Sequence, residues 1–108
     1  MFGLKDKIAS VGIRKVINGY LTGIGEVEKL DLDQKMKTIF ISLKLIGEDK
    51  PVTISINKYE LTRKNNSLFI RVLDASASKP WLESAVKKYG SNLTEIPSEY
   101  AGIVEKIL

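Results

Sequence analysis

Three stretches of strict alternation, Ile39-x-Ile41-x-Leu43-x-Leu45, Val52-x-Ile54-x-Ile56 and Leu68-x-Ile70-x-Val72, constrain this chain more than any other feature. Successive side chains of a strand point to opposite faces, so each stretch lays one apolar row on a buried face and a polar row on the other. Short polar segments separate them, Gly47-Glu48-Asp49-Lys50 and Arg63-Lys64-Asn65-Asn66-Ser67, and antiparallel neighbours need no longer connection. A further strand over Glu26 to Asp33 changes parity between Val27 and Leu30, which predicts a bulge near Glu28 and Lys29. Tyr59 and Leu61 have the opposite parity to Val52, Ile54 and Ile56, which predicts a second irregularity near Asn57. The expected sheet is a four-stranded antiparallel meander ending at Leu73.

Helices flank it. On a 3.6-residue period Ala9, Ile13, Val16, Ile17, Tyr20, Leu21 and Ile24 share one arc, with Arg14, Lys15 and Asn18 opposite. Leu4, Ile8 and Val11 fall on nearly the other side, so the first helix is apolar in two directions and suits a curved sheet wrapped around it. Gly12 and Gly19 suggest close approach by another backbone, and Gly23 and Gly25 end the helix. After Ala75-Ser76-Ala77-Ser78, a helix starts at Pro80 with Ser78 as its candidate N-cap and closes at Gly90. Ser91 to Ile96 reads as a loop or extended segment before a last helix from Pro97 and Ser98. The expected class is α+β in the order α-β-β-β-β-α-α, one domain over residues 1–108, since 108 residues at 44% hydrophobic content suffice for one core.

What the chain lacks narrows its chemistry. It has no histidine and no cysteine, which removes imidazole acid–base catalysis, thiol nucleophiles, disulfides and the usual zinc and haem ligands. No catalytic residue, metal site or cofactor is expected. Glu26, Glu28, Asp31 and Asp33 are the one dense acidic group, and their spacing around Val27 and Leu32 is that of a strand with a solvated face. Gly23-Ile24-Gly25 follows a helix and precedes a strand, the reverse of a phosphate-binding loop. Ser78-Lys79 stands where a helix cap belongs. Arg14 and Lys15 interrupt the early apolar residues and no run approaches a bilayer span, so a cytoplasmic location is expected. The net charge of +4 comes from scattered basic residues, the distribution of a solvated surface.

Two sheet faces compete as binding surfaces. The apolar face, with the first helix on it, forms either a dry core or the lining of a cavity. The reverse face carries Phe40, Lys44, Phe69 and Arg71, which either stack single-stranded nucleic acid or lie beneath Trp81, Leu82, Tyr89 and the last helix.

Gly25-Glu26-Val27, Gly47-Glu48, Pro51 before Val52-x-Ile54-x-Ile56, Tyr59, and Ala75-Ser76 leading to Trp81-Leu82 form a pattern. From Gly3 to Tyr89 the chain resembles small bacterial helix-plus-meander proteins of unknown function, and its layout is similar to part of a tubular lipid-binding (BPI-like) module. The expected function is non-enzymatic binding of a fatty acid or phospholipid between helix and sheet, by Leu4, Ile8, Val11, Ile13, Ile17, Ile41, Leu43, Ile54 and Ile70. Peripheral membrane contact fits that reading. The alternative is a homodimeric interaction module, and nucleic-acid binding ranks third.

Overall fold

The computed structural model describes residues 4–108, with side chains from Ser10 onward. The chain runs α1 (Leu4–Tyr20), β1 (Gly25–Asp33), β2 (Thr38–Leu45), β3 (Val52–Lys64), β4 (Ser67–Ala77), α2 (Pro80–Gly90), β5 (Thr94–Ile96) and α3 (Ser98–Ile107). The class is α+β with an antiparallel sheet ordered β1-β2-β3-β4-β5. The sheet has five strands where the sequence predicts four, and the order gains a strand between the last two helices. Thr94–Ile96 is too short for periodicity to distinguish strand from loop, and it is fixed by pairing with Leu68, Phe69 and Ile70.

Both expected irregularities are present, the first between Val27 and Lys29 and the second across Ile56, Lys58 and Tyr59. The first keeps Val27, Leu30 and Leu32 buried on one face despite their change of parity. The second lets Tyr59 and Leu61 pack against the same core as Ile54 and Ile56. β4 continues past Leu73, because the second irregularity restores pairing of Ala75 and Ala77 with Ile56 and Ile54.

α1 is held at several points. A Cβ on Gly12 would stand 2.7 Å from the Tyr100 Cβ, so the glycine permits the close crossing of α1 and α3. Gly19 has open space beside it, and the expected second close approach does not occur there, because α1 passes from α3 to the sheet edge before that turn. Asn18 Oδ1 accepts from the Val27 N–H at 2.9 Å, and Arg14 donates to the Val27 carbonyl at 3.4 Å. These two residues, placed by periodicity on the outward side, instead engage the edge strand. Two residues after Asn18, about half a turn on, Tyr20 and Thr94 share a hydrogen bond of 3.0 Å. α1 therefore meets both edges of the sheet, β1 and β5, which a flat five-stranded sheet would hold four strand spacings, about 19 Å, apart. The sheet must curl around it. The helix ends at Tyr20, and Gly23 turns the chain into β1 with φ +82.

α2 has no side-chain N-cap. Ser78 Oγ accepts instead from the Thr53 N–H at 2.9 Å, extending the β3–β4 pairing, while Lys79 occupies the cap position and Glu83 reaches back to the Ala77 N–H at 3.1 Å. α2 and α3 both pack on the apolar face of the sheet with α1. Leu82, Ala101, Val104 and Ile107 join the single buried cluster. The expectation that Trp81, Leu82, Tyr89 and the last helix cover Phe40 and Phe69 is thus corrected. A helix tied by short loops to β4 and β5 meets the face where the apolar rows already lie.

Candidate functional site

The three helices do not cover the sheet evenly. α1 crosses α3 and contacts the edges, α2 lies along β4, and α1 and α2 barely touch each other. Between them lies a cleft of about 400 Å³. Its floor is the alternating row read from the sequence: Ile39, Ile41, Leu43 and Leu45 of β2, Ile54 and Ile56 of β3, and Ile70 and Val72 of β4. Register explains why the floor is continuous, since Ile39 pairs with Ile56 and Ile41 with Ile54 across β2 and β3. One wall is α1 through Ile13, Val16 and Ile17, with Leu21 just past its end, and the other is α2 through Leu82, Ala85 and Val86.

Polar groups gather only at the mouth. Tyr20 and Thr94, already bonded to each other, stand at one end, with Tyr89 and the indole of Trp81 on the α2 side. The apolar residues of the rim are unusually open: Ile24 is 54% exposed, Trp81 53%, Tyr89 55% and Tyr20 57%. A deep apolar trough with a few polar groups at its lip suits the tail and head of an amphiphile.

Of the nine residues the sequence singles out for ligand binding, Ile13, Ile17, Ile41, Leu43, Ile54 and Ile70 all line this cleft. Val11 does not. It is exposed on the far side of α1. The side chains of Leu4 and Ile8 lie outside the described residues. The α2 wall is the part that sequence reasoning missed as a site, although its apolar stripe of Trp81, Leu82, Ala85, Val86 and Tyr89 is visible in the sequence.

The other candidate chemistries take structural roles. Glu28 accepts from the buried Ser42 hydroxyl at 3.0 Å, and Asp31 sits 3.5 Å from Lys29. Among the described residues no group of three or more acidic, histidine or cysteine side chains is placed to hold a metal. The groups with shifted pKa stand away from the cleft: burial raises Tyr59, and the Arg63 hydrogen bond to Glu105, at 2.6 Å, lowers the carboxyl and raises the guanidinium. On the reverse face, Phe40 is level with Ser55 of β3 and Phe69 with Thr62. Ser55 and Thr62 are seven residues apart on β3, so the two rings are separated by about 23 Å along the strands. Arg71 between them is paired with Glu60.

No described helix is long and apolar enough to cross a membrane. No protein-family model, curated protein or solved structure matches this chain.

Proposed function

We propose that this protein is a non-enzymatic binder of an apolar or amphipathic molecule, of the fatty-acid or phospholipid class, held in the cleft between α1, α2 and the sheet. The observation that carries this reading is the volume and composition of the cleft. At about 400 Å³ it falls within the roughly 300–1,000 Å³ of small-molecule sites. Its floor and walls are apolar, and apolar surface left in water is unfavourable by about 25 cal/mol per Å². Water is a poor occupant, because a buried water needs two to four polar partners and the floor supplies none. An acyl chain satisfies the floor and walls without them, and its polar end meets Tyr20, Thr94 and Tyr89 at the lip.

Native mass spectrometry of the purified protein, followed by titration with dodecanoate, tests the reading. Adducts of lipid mass or saturable one-to-one uptake support it. A monomer that carries nothing and binds no dodecanoate refutes it. A dimer that carries nothing favours the alternative use of the same apolar surface, contact with a second copy.

A further inference from the structure

We infer that the mouth of the cleft is also a docking surface, and that its partner is a bilayer surface carrying anionic lipid. This rests on the lipid-binding reading and adds how the ligand is reached. The segment Val16 to Gly25, which forms one lip, contains no charged residue in a chain that is 28% charged. Ile24 at its end is more than half exposed, and the Ile46 N–H bonds to the Ile24 carbonyl at 2.9 Å, placing a second isoleucine, 79% exposed, beside it. The opposite lip carries Trp81 and Tyr89, both more than half exposed, on a segment with Lys79, Lys87 and Lys88 against the single acid Glu83. Lys79 lies 4.0 Å from Glu48, which brings the β2–β3 turn and Ile46 to the Trp81 end of the mouth. Lys88 lies over the Tyr89 ring at 5.7 Å.

Each component has a place at a membrane interface. Tryptophan and tyrosine sit at headgroup level, uncharged apolar side chains reach the acyl boundary, and lysines meet anionic headgroups. Here all three surround the opening of an apolar trough, so a docked protein presents its cleft to the acyl chains. On a globular surface in water, the same four large side chains gain nothing from exposure.

Trp81 is the only tryptophan, so its emission reports on this face directly. Vesicles of phosphatidylcholine with and without phosphatidylglycerol are mixed with the protein, flotation reads binding, and Trp81 emission reads burial. The protein is expected to float with the phosphatidylglycerol vesicles, with Trp81 shifted to the blue, and to bind neutral vesicles weakly. Ile46→Asp should abolish flotation, and Lys87→Gln with Lys88→Gln should weaken it about thirtyfold. Both variants change exposed side chains outside the cleft lining and should still take up dodecanoate from solution. No flotation with dodecanoate uptake intact overturns the docking surface and leaves the cleft reading standing. Equal flotation with neutral vesicles, or a dimer in solution that shields Trp81, also overturns it. Loss of dodecanoate binding in the unaltered protein removes the reading on which it rests.

Discussion

Ala85→Phe separates a ligand cleft from a core that merely packs loosely, and does so by the sign of one measurement. Ala85 is half-buried on α2 and lines the cleft whose floor includes Ile41 and Ile54. In a close-packed interior, adding a phenyl ring forces side chains off their rotamers and costs about 1–3 kcal/mol. In a cleft of about 400 Å³ the ring enters space that is already there. Full burial of a phenylalanine is worth about 1.5–3 kcal/mol, and a site at the mouth realises about half of it. The expected gain is about 1 kcal/mol, which for a domain of this size raises Tm by about 4–8 °C. The same ring occupies the volume an acyl chain would take, so dodecanoate affinity should fall by at least tenfold. Thermal melts with and without dodecanoate check both halves: the variant starts higher, and ligand no longer raises it. A drop in Tm refutes the reasoning, because it means the space over the floor is filled by protein.

Gly12→Ala should destabilise the fold by about 1–2 kcal/mol, the strain of forcing α1 off Tyr100 exceeding the helix propensity gained, and urea melts measure it. Ile54→Ala should cost about 2–3 kcal/mol, the low end for such a change because one side of Ile54 already faces the cleft, whereas Ser55→Ala on the reverse face should move the urea midpoint little. The Arg63–Glu105 pair lowers the folded-state pKa of Glu105, so its contribution is present above the unfolded value near pH 4.3 and is lost as pH falls through the folded value. Tm of the unaltered protein and of Glu105→Gln should therefore converge on acidification through that window.

The floor of the cleft was legible because strand alternation maps directly onto faces, and the hydrophobic period survives both bulges as a visible change of parity. Ile13 and Ile17 were legible by the same logic on a helical period. Arg14 and Asn18 were not, since a polar residue opposite an apolar arc reads as solvent-facing whether it meets water or the unpaired backbone of an edge strand. Ser78 misled for a similar reason: the same hydroxyl suits a helix cap or a strand N–H, and only tertiary pairing with Thr53 decides. β5 was invisible because three residues carry no period, and it exists through its partner, β4. The side on which α2 packs was equally unreadable, since an apolar stripe shows that a helix is covered and not by which face of the sheet.

The cleft persists for a reason that lies in how α1 is anchored. A helix resting on a sheet by hydrophobic contact alone would settle onto the floor until the apolar surfaces met at normal packing distance. Here α1 is tied to points away from the floor: to α3 at Gly12, to the β1 edge through Asn18 and Arg14, and to the β5 edge through Tyr20 and Thr94. These bonds hold it across the rim of a curled sheet as a strut spans a trough. α2 is anchored on its own side, where a Cβ on Gly90 would come within 3.0 Å of the Val72 Cβ, so it lies against β4 and not over β2. Neither helix can move over the middle of the sheet without giving up its anchors. The Asn18 bond is to a backbone N–H on the outer edge of β1 that would otherwise be orphaned, and leaving such a group unpaired when buried costs about 1–3 kcal/mol. Closing the trough therefore competes against specific polar contacts, and the apolar floor of β2 and β3 stays available to an occupant.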